Sequence, residues 1–302
     1  MTLGLARPDP LVEQYLRASR ADNTLRAYES DLRHFAAWGG TIPSTADQIV
    51  RYLAHHGSTL KPSTLRRHLA AIASAHSDMG LADPTKAPIV ARVVQGIQRS
   101  HGNKPAKVAP LLIDDISRII ARMGTTPRDL RDRLVLLVGF FGAMRRSEII
   151  DLDWADVEWN QAKVKIVMRK SKTDQLGIGR EVVLQRRTDE LCPLHALRTW
   201  RTASGRQDGA VFIQLGKSRS RLDARTVARI VQSRAAKAGL DELHYSGHSL
   251  RAGFVTTAAL AKFDANVIAL QTGHRSLQTL STYVRAVAFP GLPAQTTLPI
   301  CP

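Results

Sequence analysis

Apolar residues recur at steps of three and four through the first hundred residues, which is the period of amphipathic helices. Four helices are predicted, and their apolar positions in chain order are Leu25, Tyr28, Leu32, Phe35, Ile49, Tyr52, Leu53, Leu65, Leu69, Ile72, Met79, Val90, Val93, Val94 and Ile97. Thr45, with Gln48 three residues later, matches a capping box, and Ser63 is placed to cap the third helix. The pattern therefore predicts a compact helical module.

After residue 110 the pattern becomes mixed. Helices are predicted over 113–123, 127–143, 192–200 and 224–238, with short β-prone runs at 157–159, 164–168 and 182–184. Turn residues separate the three runs, so we expect a small sheet. The stretch 99–110 is polar and basic, with a glycine and two prolines, which is typical of an interdomain linker. The predicted fold is mainly α with a small antiparallel β-sheet, in a helical domain at 1–104 and an α+β domain at 111–302.

Charge narrows the function classes. The chain has 43 lysines and arginines against 26 aspartates and glutamates, a formal net charge of +17. Residues 1–104 hold 13 basic against 8 acidic residues, and the remainder holds 30 against 18. Two basic domains favour binding to nucleic acid, although a solvated basic face without a partner is the alternative for the helical domain.

The basic residues expected to contact DNA lie in both domains. They are Arg66, Arg67, Arg92, Lys104, Arg219 and Arg225. On or beside the predicted helix 224–238, an arginine cluster is expected to contact phosphates, and it comprises Arg219, Arg221, Arg225, Arg229 and Arg234. Contacts of this kind position a protein on DNA without reading its sequence. A solvated face is again the alternative.

The cysteines argue against disulfide and zinc frameworks, because Cys192 and Cys301 are far apart and lack metal-ligand spacing. No apolar secretory core is seen near the first residue, and the longest apolar run, 134–144, is shorter than a membrane span needs. We therefore expect a cytoplasmic, nucleoid-associated protein without membrane contact, and a buried helix over that run.

Residues with phosphate chemistry lie near the end of the sequence. His248 and Arg251 are three apart, so they would share one face of a helix that Ser246 is placed to cap. A helix N-terminus favours anions, an arginine fork matches two phosphate oxygens, and a histidine can move a proton near neutral pH. Tyr283, nine residues after His274, has an unperturbed pKa of about 10 and needs a base or a positive field to act as a nucleophile. Together these groups predict a phosphate-handling site.

This arrangement resembles the C-terminal signature of the tyrosine recombinases, the family of phage integrases, Cre and the Xer recombinases. The segment from Gly142 to Glu148, Gly-Ala-Met-Arg-Arg-Ser-Glu, is similar to the family's first-arginine box, and Lys170 and Lys172 lie between two predicted strands, where the family has its lysine. The resemblance implies a catalytic set of Arg145, Lys172, His248, Arg251, His274 and Tyr283. It also implies Glu148 as a supporting partner, with Lys170 as the second choice for the lysine.

The resemblance also implies a reaction. Tyr283 would attack a DNA phosphate and form a 3′-phosphotyrosyl link, without a metal or any other cofactor. Arg145 and Arg251 would clamp the non-bridging oxygens. Lys172 would protonate the leaving 5′-oxygen, and His248 would act as an acid and base near the tyrosine.

The partners implied by the resemblance are double-stranded DNA with paired half-sites and three further copies of the chain in a synaptic homotetramer. Accessory DNA-bending proteins are a further class that it allows. The layout resembles the simple two-domain one of Cre and the Xer recombinases.

Two alternatives stay open: a DNA-binding protein of the same fold without strand exchange, and a topoisomerase-like enzyme that nicks and closes one site. In the tail, 284–302, Phe289 and Leu292 are expected to dock in a groove of the second domain.

Overall fold

The computed structural model describes residues 22–102, 108–168 and 179–273, together with residues 11, 14, 15 and 20. The chain divides into two compact units between residues 106 and 107. Each unit has a hydrophobic core of its own. The described chain is mostly helical and contains one small antiparallel sheet, which confirms the predicted fold class.

The N-terminal unit contains the four predicted helices. They are α1 (Asp22–Ala37), α2 (Ala46–His56), α3 (Pro62–Asp78) and α4 (Pro88–His101), with a 3₁₀ turn at Pro84–Lys86. The fully buried apolar residues that hold them together are Phe35, Ile49, Tyr52, Leu53, Leu65, Ile72 and Val90. All seven occupy positions that the apolar period marked, so the period located the buried face of each helix.

The helix ends differ from the predictions in three places. Thr45 caps α2, because its Oγ1 accepts a hydrogen bond from the Gln48 backbone N–H at 3.2 Å. The return bond of a capping box is not made, since the Gln48 side chain accepts from the Thr41 N–H at 3.4 Å. The cap predicted at Ser63 is wrong, since α3 begins earlier, at Pro62, where the fixed φ and missing N–H of proline suit the first turn. Helix α4 continues to His101, so residues 99–101 of the predicted linker are helical; the first glycine of that stretch comes only at Gly102.

The C-terminal unit alternates helices with the sheet. Its elements are α5 (Ile113–Ala121), α6 (Pro127–Phe141), α7 (Arg146–Asp151), β1 (Val157–Trp159), β2 (Lys163–Met168), β3 (Arg180–Gln185), α8 (Pro193–Ser204), α9 (Ala224–Lys237), α10 (Gly247–Leu260) and α11 (Ala265–Thr272). Short 3₁₀ turns occur at Trp154–Asp156 and Glu242–His244.

The three strands pair in the order β1-β2-β3, and both pairs are antiparallel. Ile166 of β2 lies opposite Val157 on one side and Val182 on the other. Alternate residues of β2 and β3 are buried, which is the pattern of strands with one face on a core. The antiparallel pairing makes residues 169–179 the connection between β2 and β3.

Helix α6 is the central helix of this unit. Its residues 134–138 are all fully buried, and it packs along α8. Thr126 and Asp129 form a capping box at its start, with the Thr126 Oγ1 donating to the Asp129 carboxylate at 2.6 Å. The buried helix predicted for the longest apolar run is therefore confirmed. It ends at Phe141, and the residues just after it form a turn that leads into α7.

One arginine of the predicted DNA-facing cluster has an internal role. Arg234 of α9 is only 6% exposed. Its guanidinium donates to the carboxylates of Asp132 at 2.6 Å and Asp129 at 2.7 Å. A buried charge needs such partners, and breaking them leaves an uncompensated ion. The phosphate contact predicted for Arg234 is wrong; Arg234 joins α9 to α6.

The described segments contain no helix that is both long and apolar enough to cross a membrane. Cys192 is buried and unpaired. Cys301 and Lys104 lie outside the described residues, as does the predicted tail with Phe289 and Leu292.

Candidate active site

Glu148 fixes the orientation of Arg145. Arg145 is the residue before α7, and Glu148 is the third residue of that helix. The Glu148 carboxylate accepts the Arg145 backbone N–H at 2.8 Å and the Arg145 Nη1 at 2.6 Å. Glu148 is 2% exposed, whereas the Arg145 side chain is 22% exposed. The buried acid therefore holds an arginine that still reaches the surface.

A second arginine, Arg180 of β3, contacts the same carboxylate. Its Nη2 donates to Glu148 Oε2 at 3.0 Å. Burial opposes ionisation of Glu148, but the charges of Arg180 and Arg145 outweigh that cost and hold the pKa of the carboxyl below its usual value. Glu148 is therefore ionised at neutral pH. Sequence reasoning missed Arg180, because the partners are 32 residues apart and no local motif marks the pair.

The turn between α6 and α7 connects Arg145 to Arg251. Ala143 has φ 47°, in the left-handed region where a residue with a Cβ is strained by about 1–2 kcal/mol. Its carbonyl accepts a hydrogen bond from Arg251 Nη1 at 2.7 Å. Arg251 is 2% exposed. The structure thus brings the first-arginine box next to the helix that carries His248 and Arg251.

The start of α10 is capped as predicted. Ser246 Oγ accepts the His248 backbone N–H at 3.2 Å, and the Ser246 N–H donates to Ser249 Oγ at 3.0 Å. A Cβ on Gly247 would overlap the aliphatic part of Arg146, so that side chain lies against the first residue of α10. The contact explains why a glycine suits this position, and it places Arg146 beside His248.

The surroundings of His248 favour its neutral form. Desolvation by the neighbouring protein atoms lowers the pKa of the imidazole, and the charges of Arg251, Arg145 and Arg146 lower it further. The imidazole itself is exposed at the surface. A neutral histidine at neutral pH is able to accept a proton, which is the state that a general base needs.

In the DNA-free protein, we expect the His248 imidazole to titrate below 6.5, the ordinary value for histidine. Because the fold favours the neutral form, the contribution of His248 to stability is present above that ordinary value and is lost as the pH falls through the folded pKa. A bound phosphate would favour the imidazolium, so DNA should raise the pKa. An NMR titration of the full chain, with His248→Gln to assign the signal, measures both values. A pKa at or above 6.5 without DNA contradicts the described electrostatics.

The remaining predicted catalytic residues lie outside the described part of the chain. These are Lys172, its alternative Lys170, His274 and Tyr283. Lys172 belongs to the connection between β2 and β3. Residue 274 directly follows Gly273, which ends α11 with φ 66° in the left-handed conformation. The structure brings Arg145, Glu148, His248 and Arg251 together, and the other roles stay predictions.

Some of the basic residues predicted to contact DNA are exposed without a described ion pair, and others are held by partners within the protein. Arg66 and Arg92 are exposed on α3 and α4. Arg67 donates from Nε and Nη2 to the Asp31 carboxylate at 2.7 and 2.8 Å. A phosphate at Arg67 would have to compete with this ion pair. In the C-terminal unit, Arg219 and Arg225 are exposed, and Arg219 donates to the Ser204 carbonyl.

Sequence reasoning also missed a cluster of tyrosine and histidine rings in the N-terminal unit. Nε2 of buried His68 lies 3.1 Å from Oδ1 of Asp31. The Tyr52 hydroxyl lies between two Nδ1 atoms, at 2.5 Å from that of His68 and 2.9 Å from that of His34. His56 is half-buried, with its ring 4.8 Å from that of Tyr52. Across the described ranges, no three histidine, cysteine or acidic side chains are grouped to hold a metal ion.

Comparisons with known proteins place the chain in a family. The phage integrase family model matches residues 111–288. An integrase/recombinase XerD homolog of Selenomonas ruminantium is 32% identical over 284 residues, which cover 89% of this chain and 83% of the relative. A tyrosine recombinase XerC of Corynebacterium efficiens is 28% identical over 284 residues, which cover 89% of this chain and 82% of that one.

Among the solved structures that share the fold, two illustrate the similarity. One is the XerH site-specific recombinase bound to a palindromic difH substrate, with a TM-score of 0.65, 18% identity, and coverage of 86% of this chain and 75% of that one. The other is a lambda integrase tetramer bound to a Holliday junction, with a TM-score of 0.64, 15% identity, and coverage of 95% and 85%. The family match includes the turn between α6 and α7 and all of α10, the two segments that the hydrogen bond from Arg251 to the Ala143 carbonyl joins. The chain belongs to the phage integrase family, and it is a tyrosine recombinase.

Proposed function

We propose that this protein is a site-specific DNA recombinase that cleaves and rejoins DNA strands through a covalent link to Tyr283. The observation that carries the proposal is the joining of two distant arginine segments. The Ala143 carbonyl, two residues before Arg145, is held by Arg251, which is 108 residues further along the chain. Two arginines in one electropositive site suit a phosphate with two charged oxygens better than they suit a neutral substrate.

The cleavage step begins with the phenolic oxygen of Tyr283. This oxygen attacks the phosphorus, the bond from phosphorus to the 5′-oxygen breaks, and the DNA 3′-phosphate becomes esterified to the tyrosine. His248 takes the phenol proton, for which its neutral form is suited. Lys172 gives a proton to the departing 5′-oxygen, which leaves as a 5′-hydroxyl.

The arginines stabilise charge during this step. The Glu148 side chain accepts from Nη1 of Arg145, so the remaining N–H groups of that planar fork can donate to a non-bridging oxygen. Arg251 neutralises the second oxygen, and His274 donates a hydrogen bond to the same phosphate. Positive groups that are in place before the reaction favour the charge-rich transition state.

Rejoining reverses the chemistry with a different strand. The 5′-hydroxyl of a partner strand gives its proton to Lys172 and attacks the phosphotyrosyl phosphorus. The bond from phosphorus to the phenolic oxygen breaks, and His248 returns the proton to that oxygen. The ester conserves the energy of the broken backbone bond. Strand exchange therefore needs no nucleotide cofactor.

The proposed substrate is double-stranded DNA with paired half-sites, bound by a homotetramer during synapsis. A tetramer on a Holliday junction has been described for lambda integrase, and a complex with a difH substrate has been described for XerH. A net charge of +17 supports contact with a polyanion. Accessory DNA-bending proteins and a cytoplasmic, nucleoid-associated location belong to the same proposal.

Affinity for DNA should fall steeply with salt. Each phosphate contact releases condensed counterions, so six to ten contacts predict a loss of about 10³ to 10⁵ in affinity between 50 and 200 mM salt. Fluorescence anisotropy with a labelled duplex measures the slope. Substituting the exposed Arg66 or Arg225 by alanine should reduce the slope by about one for each lost contact. A flat titration contradicts an electrostatic interface.

The experiment that tests the proposal uses the DNA around the native gene. Denaturing gels reveal cleaved DNA attached to protein, and plasmids with one or two copies of the cleaved site reveal strand exchange. Recombination only with two sites supports the proposal. Relaxation with one site alone favours the topoisomerase-like alternative. Binding without cleavage favours the DNA-binding alternative.

A further inference from the structure

Arg180 is a buried arginine that no motif of the chain marks. It is the first residue of β3, and its side chain is 14% exposed. Burial lowers the pKa of its guanidinium, and within the part of the chain that the structure describes the buried Nε has no hydrogen-bond partner. Burying a charge or an unsatisfied N–H group is unfavourable, so the burial of the Arg180 guanidinium calls for an explanation.

The guanidinium joins two separate segments. Nη2 donates to Glu148 Oε2 at 3.0 Å, and Nη1 donates to the backbone carbonyl of Gln271 at 2.7 Å. The first contact reaches the acid that orients Arg145. The second reaches the last turn of α11. One planar group thus sets the distance between these two parts of the fold.

The end of α11 is fixed closely against this side chain. A Cβ on Gly273 would lie 3.0 Å from Cδ and 3.1 Å from Nη1 of Arg180, so a glycine is needed for this approach. Gln271 Nε2 donates to the Val183 carbonyl of the same strand at 3.1 Å and to the Phe141 carbonyl at 2.8 Å. The backbone that leads to His274 is therefore tied to β3 and to the end of α6.

We infer that Arg180 is a positioning residue for strand cleavage: through Glu148 it orients Arg145, and through Gln271 it fixes the helix end that precedes His274. This inference rests on the proposed function. Arg180 needs no contact with DNA to act. Along the chain it directly follows the β2–β3 connection, to which Lys172 belongs.

The test compares variants of the full chain in single-turnover cleavage of a nicked suicide duplex. Arg180→Met removes the charge and the donors while keeping a similar length. Because a misplacement of about 1 Å can cost about 100-fold in rate, we expect adduct formation to slow at least about tenfold. DNA affinity should stay within about threefold, since the residue is buried. Arg180→Lys, which keeps the charge and can reach one acceptor, should recover part of the rate.

Lys165→Met is the matched control. Lys165 lies on the neighbouring strand β2 and makes exposed ion pairs with Glu158 at 2.8 Å and Glu181 at 3.1 Å. Its loss removes a charge and two ion pairs from the same sheet but touches neither Glu148 nor α11. The cleavage rate of this variant should match that of the unaltered protein.

A methylphosphonate at the scissile position separates positioning from general destabilisation. This linkage carries a methyl group in place of one charged oxygen, so cleavage depends less on the Arg145 clamp. The deficit of Arg180→Met should shrink on this substrate, as should the deficit of Arg145→Ala. A merely structural defect would slow both substrates equally, and that result overturns the inference.

Two further outcomes separate the inference from the proposed function. If the unaltered protein forms adducts and Arg180→Met forms them at the same rate, the inference alone is overturned. If the unaltered protein forms no adduct anywhere on the DNA around the native gene, the proposed function falls and the inference with it. If a thermal melt shows that Arg180→Met does not fold, Arg180→Lys is used in its place. A deficit of Arg180→Lys that shrinks on the methylphosphonate supports the inference, and an equal deficit on both linkages overturns it.

Discussion

Replacement of Tyr283 by phenylalanine should abolish covalent attachment to DNA while leaving DNA affinity near that of the unaltered protein. The change removes only the oxygen that attacks the phosphorus. Loss of a nucleophile commonly costs about 10⁴-fold or more in rate, so adducts should fall below detection on a nicked suicide duplex. Denaturing gels measure the adduct, and anisotropy measures the affinity.

Other tyrosines provide the control for this experiment. Tyr52 is fully buried, and burial raises its pKa to about 12. Tyr245 is half-buried, and burial raises its pKa too. Both shifts disfavour the phenolate, so these side chains are poor nucleophiles. Tyr245→Phe should therefore form adducts normally. Adducts that persist in Tyr283→Phe would remove Tyr283 from the mechanism.

Replacement of Lys172 by alanine should slow cleavage of an ordinary phosphodiester by about 10²- to 10⁴-fold, the usual contribution of a general acid. A substrate with sulfur in place of the bridging 5′-oxygen should restore the rate. A thiol has a much lower pKa than an alcohol, so a thiolate leaves without receiving a proton. Single-turnover rates on the two substrates measure the rescue.

Lys170→Ala is the matched control, because the two lysines share the connection between β2 and β3 and differ by two positions. It should cleave both substrates at similar rates. Rescue of Lys170→Ala in place of Lys172→Ala would move the general acid by two residues. Failure of the sulfur substrate to rescue either variant would show that neither lysine protonates the leaving oxygen.

Much of the fold could be predicted because its signals are local. The apolar period marked Phe35, Tyr52 and Leu65, all of which are buried. The cap at Thr45 is read from residues three positions apart. The predictions for Ser63 and Arg234 were wrong for different reasons: a proline started its helix earlier, and two aspartates on another helix took up the arginine. The second error could not be avoided from the sequence, since charge alone does not show which arginines are buried.

In the candidate site, too, local contacts could be predicted and long-range contacts could not. The spacing of Arg145 and Glu148 fits one helical turn, and the capping contact follows from that spacing. The bond from Arg251 to the Ala143 carbonyl spans 108 residues, and the bond from Arg180 to the Gln271 carbonyl spans 91. In both bonds the acceptor is a backbone carbonyl oxygen. Every residue type has such an oxygen, so the sequence contains no motif that predicts these bonds. The contacts that assemble the site are therefore visible only in the fold.

Identification of the residue joined to DNA tests the central claim most directly. The adduct formed on the native site is digested with a protease and a nuclease, and the remaining nucleotide-linked peptide is sequenced by mass spectrometry. The account predicts one modified residue, Tyr283, esterified to a 3′-phosphate, with a free 5′-hydroxyl on the other DNA fragment. Attachment to a different residue, or through a 5′-phosphate, would contradict it.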